Sequence, residues 1–290
     1  MIHSLLRFLN FFLINLIVLG SLHVLHGKSL QDNIKNMYLP DGIYVPPTKD
    51  DLEKAKKLFH NLFRSLDDKD DLKAWNSLGF EIEKMGSFLI VRETESNQTG
   101  KGLYIFNTNK PSHVIIEAPH YPSDLYTGTI ALHAMEEEPV LAAAFNTVHR
   151  KKVNFTAELM TYFNAFTEAF GKAYPTGTII QLHGFNETAR EKIQQDIPDL
   201  ILSAATRSPP AVLYQYGECL KKLPLTVSLF PRDIKILGGV KNINAKKFRD
   251  SGTHGLFLHL EMGKNLREKL KNNKGLRKKF FECFIEKGAE

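Results

Sequence analysis

Hydrophobic and polar positions follow two alternating patterns along most of this chain. Short runs of β-branched and large apolar residues, bounded by Gly, Pro or polar clusters, are typical of buried strands. Such runs occupy residues 114–119, 140–147, 177–184, 199–205 and 255–261. Segments with apolar residues at helical spacing lie between or after them, at 128–138, 157–174, 211–223 and 263–287. Strands that alternate with helices predict an α/β fold with a three-layer, mostly parallel sheet.

A helix and a hairpin are predicted ahead of this alternating region. Residues 48–66 carry apolar side chains at helical spacing, with Thr48 placed to cap the start and acids in the first turn. A shorter helix is predicted over residues 70–78. Two apolar runs at 86–94 and 101–108, joined by a polar segment, predict an antiparallel hairpin. The expected domain therefore has an N-terminal helix and hairpin followed by the α/β sheet.

The first 28 residues differ in character from the rest of the chain. Arg7 precedes an apolar stretch over residues 8–22, and more polar residues follow. This order is typical of a secretory signal peptide. The stretch is short for a spanning helix, which needs about 20 apolar residues, although an uncleaved N-terminal anchor remains the alternative. Either interpretation predicts a secreted or periplasmic location for residues 29–290. Their number would allow one large α/β domain or two small ones, and we favour a single domain.

Composition excludes some functions and permits others. Of 290 residues, 43% are hydrophobic and 24% are charged, which is ordinary for a globular domain with a full core. The net charge is +6, but no ladder of basic residues with interleaved aromatics predicts a nucleic-acid groove. The two cysteines, Cys219 and Cys283, could form a disulfide in an exported protein. Neither lies in a C-x-x-C pattern, so a thiol-rich zinc site is excluded.

Three of the predicted strands end on, or contain near their ends, residues that can bind a metal or move a proton. These residues are His120, His183 and Glu261, and Asp124 follows His120 by four positions. Ligands bind beyond the carboxyl ends of the strands in open parallel α/β sheets, so we expect these side chains to converge. Imidazole nitrogen and carboxylate oxygen are ligands that zinc favours, and a glutamate beside the metal suits a general base. The sequence thus predicts one zinc ion on His120, Asp124 and His183, with Glu261 as the base.

Each of these residues also has a purely structural interpretation. His120 could hydrogen-bond a loop, and Asp124 could cap the helix that follows it. A histidine at a strand end, such as His183, is often structural. Glu261 could pair with a nearby Arg or Lys. Glu117, inside the apolar run before His120, is a lesser alternative ligand.

Candidate substrate contacts come from two further segments. The segment FNTVHR places Asn146 and Arg150 at the end of another strand, and Arg267 follows Glu261 by six residues. Arginine's planar fork suits a substrate carboxylate, and asparagine could assist, although surface arginines are common without such a role. The chain has no G-x-S-x-G, H-E-x-x-H, G-x-G-x-x-G or Walker A motif, which argues against serine hydrolases, helical zincins and the familiar nucleotide folds.

Four segments at these positions resemble a known superfamily. They are APHYPSDLYTGTIAL, FNTVHR, IIQLHGF and LHLEMGKNLRE. Together they resemble the zinc-dependent amidohydrolases and exopeptidases with the phosphorylase/hydrolase-like fold. The N-formylglutamate amidohydrolases and phage-type poly-γ-glutamate hydrolases are the nearest in pattern, and the zinc carboxypeptidases are more distant.

The resemblance implies zinc bound by His120, Asp124 and His183, with Glu261 as catalytic base. Two departures stand out: the first ligand pair is spaced H-x-x-x-D rather than H-x-x-E, and the carboxypeptidases' adjacent Asn-Arg clamp has only a loose counterpart in Asn146 and Arg150. The implied function is an exported zinc hydrolase that cleaves a peptide or γ-glutamyl-type amide near a carboxylate.

Two other classes of function compete with this interpretation. An exported binding protein could have kept the fold and lost the chemistry. An envelope protein anchored through residues 8–22 could instead use its basic C-terminal helix to contact anionic polymer.

Overall fold

The computed structural model describes residues 30–31, 38–39, 41–65, 72–109, 112–186 and 197–285. The predicted signal peptide or anchor over residues 1–28 lies outside the described residues. Within the described ranges, no helix has the length and apolar character required to cross a membrane.

A mixed nine-stranded sheet forms the middle layer of the described domain. Its strands are β1 Phe80–Met85, β2 Phe88–Glu93, β3 Leu103–Asn107, β4 Val114–Ala118, β5 Ala142–Phe145, β6 Thr178–Gly184, β7 Leu200–Ser203, β8 Val227–Leu229 and β9 Leu256–Met262. They lie in the order β1-β2-β3-β5-β4-β6-β9-β7-β8. The central strands β5, β4, β6 and β9 run parallel to one another, whereas β1–β2, β2–β3, β3–β5 and β7–β9 pair antiparallel. The predicted α/β sheet is therefore confirmed, with its parallel part in the centre.

Helices cover both faces of this sheet. They are α1 Lys49–Arg64, α2 Leu72–Ser77, α3 Thr127–Glu137, α4 Tyr162–Ala173, α5 Val212–Leu220, α6 Ile243–Asp250, α7 Lys264–Asn272 and α8 Lys274–Glu282. Helix α4 packs between α1 and α6 on one face, and α3 packs against α7 and α8 on the other. Each face has its own large cluster of buried apolar side chains, which gives the predicted three layers.

The N-terminal elements match their prediction closely. Helix α1 begins after Thr48, whose hydroxyl accepts a hydrogen bond from the Asp51 backbone N–H. The Asp51 carboxylate accepts the return bond from the Thr48 N–H, which completes a capping box. The predicted hairpin is β2–β3.

The prediction was wrong in four places. It lacked the edge strands β1 and β8, because a strand at the edge of a sheet carries a weaker apolar signal than a buried one. It lacked the short helix α6. It also joined α7 and α8 into one helix over 263–287. Asn273 separates them: its backbone is extended (φ −114°, ψ 99°), and its side chain accepts from the Leu276 N–H to cap α8.

A disulfide joins helix α5 to the C-terminal end of helix α8. Cys219, near the end of α5, is bonded to Cys283, which follows α8, across a sequence separation of 64. The pairing that the sequence permitted is thus present in the structure.

Strand alternation gathers polar side chains on the face covered by α4 and α6. On β4, β6 and β9, Ile115, Ile179 and Phe257 belong to the apolar cluster of that face. Further along the same strands and on the same face, the side chains become polar, because every second residue of a strand shares a face. These polar residues are Glu117, Gln181, His183, His259 and Glu261.

Strand register aligns these polar residues in rows. Glu117 pairs with Gln181 and Gln181 with His259, while His183 pairs with Glu261 one row nearer the carboxyl end. A buried polar region therefore lies where the parallel strands end.

Candidate metal centre

His120 and Asp124 follow β4 in a tight loop. The Asp124 backbone N–H donates to the carbonyl of His120 at 2.9 Å, which turns the carboxylate back toward the imidazole. His120 Nδ1 and Asp124 Oδ2 are 3.3 Å apart. Asp124 does not cap the next helix with its side chain, because the N-cap of α3 is Tyr126, in the left-handed region at φ 74° and without a side-chain cap bond. The carboxylate instead faces the histidines.

His183, near the end of β6, completes a cluster of three donor atoms. Its Nδ1 lies 3.1 Å from His120 Nδ1 and 3.6 Å from Asp124 Oδ2. All three residues are buried, with at most 5% of their surface exposed. The loop after β4 and the end of β6 thus present two imidazole nitrogens and a carboxylate oxygen to the same point, although the two histidines are 63 residues apart in sequence.

The size of this cluster fits a zinc ion. Zinc binds nitrogen and carboxylate oxygen at about 2.0–2.2 Å with tetrahedral geometry, so its ligand atoms lie roughly 3.3–3.6 Å from one another. The three separations between His120 Nδ1, His183 Nδ1 and Asp124 Oδ2 are 3.1, 3.3 and 3.6 Å. The donor set is also one that zinc uses in catalytic sites, where three protein ligands leave the fourth position open.

Hydrogen bonds on the far side of each imidazole set its tautomer. His183 Nε2 lies 2.7 Å from Gln181 Oε1, and His120 Nε2 lies 2.9 Å from Asn154 Oδ1. The Asn154 Oδ1 atom also accepts from the hydroxyl of Thr156, so it is an acceptor toward the ring. Both histidines therefore donate through Nε2–H, which leaves each Nδ1 lone pair directed at the cluster.

Electrostatics favour a neutral His183 and an ionised Asp124 at neutral pH. Burial, together with the nearby His259, lowers the pKa of His183 to about 4, so this imidazole is neutral. Burial alone would raise the pKa of Asp124, but the neighbouring imidazoles of His120 and His183 hold it well below its usual range. Zinc binds neutral imidazole and carboxylate, and both are present.

Asp124 is fixed from two sides. Its Oδ2 accepts from the Gly184 N–H at 2.9 Å, and its Oδ1 accepts from Arg150 Nη1 at 3.0 Å. Position 184 has no room for a side chain, because a Cβ there would lie 2.5 Å from the guanidinium carbon of Arg267. A glycine directly after His183 therefore lets the backbone reach Asp124 while Arg267 packs against it.

Glu261 lies on β9 beside His183, its partner in the strand register. Its Oε1 is 3.3 Å from His259 Nε2. Burial alone would raise the pKa of Glu261, but the hydrogen bond to His259 lowers it. The contact of this carboxylate is thus with a histidine of its own strand, and the carboxylate is ionised near the cluster, as a general base must be.

The three residues predicted to contact substrate differ in their exposure and hydrogen-bond partners. Arg150 is at the surface, with 39% of its side chain exposed, and reaches inward to Asp124. Asn146 is buried: its Oδ1 accepts from the Val148 N–H, and its Nδ2 has no hydrogen-bond partner within the described ranges.

Arg267 is only 5% exposed, and its three nitrogens donate to the carbonyls of Met262, Leu125 and Phe185. Arg267 therefore joins the end of β9 to the segments that follow β4 and β6, and only Arg150 is carried forward as a candidate substrate ligand.

Several residues of the site were missed from the sequence. Gln181 could have been found, because it is two positions before His183 and so shares its strand face. His259 has the same relation to Glu261 and could have been found by the same argument. Asn154 and Thr156 gave no signal, since they reach His120 from a loop whose path depends on tertiary packing.

Glu117, the lesser alternative ligand, does not face the three donor atoms. Its carboxylate accepts from Thr167 and Gln181 on the inner side of His183.

No protein-family model matches this chain, and no curated protein matches it. Among solved structures, the chain is similar to an N-formylglutamate amidohydrolase from Ralstonia eutropha JMP134, at 11% identity over 63% of this chain and 95% of that one, with a TM-score of 0.44. It is also similar to the zinc-free apo form of a protein named YNDL, at 18% identity over 69% and 89%, with a TM-score of 0.40. A bacteriophage poly-gamma-glutamate hydrolase matches at 10% identity over 69% and 86%, with a TM-score of 0.33. Both groups that the sequence most resembles are thus found among these structures, but the likeness is distant, and the function has to follow from the site's own residues.

Proposed function

We propose that this protein is an exported zinc-dependent hydrolase that cleaves an amide bond near a carboxylate. The observation that carries the proposal is the triangle formed by His120 Nδ1, His183 Nδ1 and Asp124 Oδ2. Its sides of 3.1, 3.3 and 3.6 Å fit one tetrahedral zinc ion, and both Nδ1 atoms carry lone pairs. Three protein ligands with a general base beside them favour catalysis over a purely structural metal site, which usually has four protein ligands.

The residues around the cluster have complementary tasks in such a reaction. Zinc, when bound, polarises the scissile carbonyl and lowers the pKa of water. Glu261, ionised and next to His183 in the sheet, accepts the proton of the attacking water and passes it to the leaving amine. His259 holds that carboxylate through its Nε2. Arg150, half-exposed and paired with Asp124, is the candidate partner for a substrate carboxylate.

The substrate class follows from these groups and from the N-terminal sequence. An arginine beside an amide-cleaving centre favours peptides or γ-glutamyl-type chains with a carboxylate near the scissile bond. The signal-like residues 1–28 favour a secreted or periplasmic location, where such polymers and cell-wall peptides occur.

Metal content is the first test of this proposal. The measurement is elemental analysis of protein purified without a histidine tag, with wild type beside His183→Ala and a control, His254→Ala, which changes an exposed histidine outside the site. We expect about one zinc per chain in wild type and the control, and none in His183→Ala. Absence of metal from all three proteins after incubation with zinc would refute the proposal.

Catalysis is tested separately with Glu261→Gln. This variant should keep its zinc and lose hydrolysis of whichever substrate the wild type cleaves in a panel of γ-glutamyl peptides, α-peptides and N-acyl amino acids. Zinc binding without hydrolysis in the whole panel would favour a binding protein that kept the metal and lost the chemistry.

A further inference from the structure

A chain of buried hydrogen bonds leads from His183 to a carboxylate that does not face the metal cluster. His183 Nε2 lies 2.7 Å from Gln181 Oε1, and Gln181 Nε2 donates to Glu117 Oε2 at 2.7 Å. The other carboxylate oxygen, Glu117 Oε1, accepts from the Thr167 hydroxyl at 2.6 Å. Glu117, Gln181 and Thr167 are fully buried. A carboxylate is thus connected to a candidate metal ligand through one amide.

The Gln181 amide has one possible orientation in this chain. Its Nε2 donates to Glu117 and to Asn244 Oδ1 at 3.1 Å, and its Oε1 accepts from Asn242 Nδ2 at 2.5 Å. Rotating the amide by half a turn would place its oxygen against the acceptor oxygens of Glu117 and Asn244. It would also place its NH₂ group against the donor Nδ2 of Asn242. Gln181 Oε1 is therefore fixed as the acceptor for His183 Nε2–H.

Folding alone gives little reason for an acid at position 117. Burying a carboxylate is costly even when it accepts two hydrogen bonds, and burial raises the pKa of Glu117 to about 7. A glutamine could keep the same bonds at lower cost: its oxygen would accept from Gln181, and its amide would donate to the Thr167 hydroxyl. Thr167 could then direct its own hydrogen to the Phe163 carbonyl, 3.1 Å away.

We propose that Glu117 acts through Gln181 as a positioning residue that orients His183 and strengthens its bond to the metal. Metal-bound histidines commonly donate their second N–H to a carboxylate or carbonyl, which fixes the ring and makes the ligand nitrogen more basic. In this protein the Glu117 carboxylate polarises the Gln181 amide. The amide oxygen thereby becomes a stronger acceptor for the Nε2–H of His183. The inference rests on the proposed zinc site and extends it to residues that touch neither metal nor substrate.

The test is zinc affinity, measured by competition with a chromophoric chelator on the full chain at pH 8, where Glu117 with its pKa of about 7 is ionised. Glu117→Gln keeps the hydrogen-bond pattern and removes the charge, so it should fold and bind zinc about 10–100-fold more weakly than wild type. The matched control is Glu93→Gln, the same change at another buried glutamate whose partners are Thr99 and Thr147. We expect the control to retain wild-type affinity.

A second variant and a spectroscopic readout separate positioning from general damage. Gln181→Leu interrupts the chain itself and should weaken zinc binding at least as much as Glu117→Gln. With cobalt(II) in place of zinc, the visible bands should shift in Glu117→Gln and not in Glu93→Gln, because band position reports the ligand field of His183 rather than the stability of the fold.

Unchanged affinity and unchanged cobalt bands in Glu117→Gln would overturn the inference while leaving the zinc site in place. A wild-type protein that binds no zinc would instead refute the proposed function, so the two failures are distinguishable.

Discussion

The buried Glu117 should make the stability of the protein depend on pH, and the effect can be calculated from the structure. Its pKa is raised by burial from 4.5 to about 7 in the folded protein. Between these values the folded state holds a proton that the unfolded state has released, so the free energy of unfolding falls as pH rises from about 4.5 through 7. Each unit of pKa corresponds to about 1.36 kcal/mol, which makes the loss roughly 3 kcal/mol by pH 8.

The perturbation that isolates this effect is Glu117→Gln, because glutamine has no proton to release. Urea unfolding of both proteins at pH 5 and pH 8, with a chelator present, gives four free energies of unfolding. Every other titrating group contributes equally to wild type and variant, so the difference between their free energies of unfolding should shift by roughly 2.5 kcal/mol in favour of the variant from pH 5 to pH 8. An exposed control, Glu218→Gln, should show no such shift.

The reasoning would be refuted by a difference between wild type and Glu117→Gln that stays constant across this pH range. That result would mean that Glu117 titrates in the folded protein as it does in the unfolded chain. The carboxylate would then be stabilised by its hydrogen bonds to an extent that offsets its burial.

Three further predictions follow from the same structure. Replacing Cys219 and Cys283 with serine should lower the free energy of unfolding by about 4 kcal/mol, since the disulfide closes a loop across a separation of 64 residues. Urea denaturation of the double variant measures this change, and a midpoint and slope equal to those of wild type would contradict it. Gly184→Ala should displace the Arg267 guanidinium and lower the free energy of unfolding by about 1.5–3 kcal/mol for each hydrogen bond lost. The same assay measures this loss, and the control Gly275→Ala should have a smaller effect. Arg150→Ala should raise KM for a carboxylate-bearing substrate far more than for its neutral amide; equal changes for the two would remove Arg150 from substrate binding.

The sequence by itself determined where the central strands lie along the chain and which residues are near their ends. Apolar runs bounded by turn residues are a local signal, so β4, β6 and β9 could be located without knowledge of the fold. Parallel strands end at one edge, and this geometric fact is what made His120, His183 and Glu261 candidates for a single site. The N-terminal capping box was equally local, because Thr48 and its partner are three residues apart.

Only the tertiary structure decided which atoms meet. Asp124 could have capped a helix or joined the histidines, and the choice depends on a backbone N–H of Gly184, 60 residues away. Arg267 looked as available as Arg150 in the sequence, yet packing against three carbonyls placed it inside the protein. Contacts of this kind join segments far apart in the chain and depend on distances of a few tenths of an ångström. Residue type and spacing carry no information at that scale, so the ligand triangle and the chain from His183 to Glu117 emerge only when the layers pack.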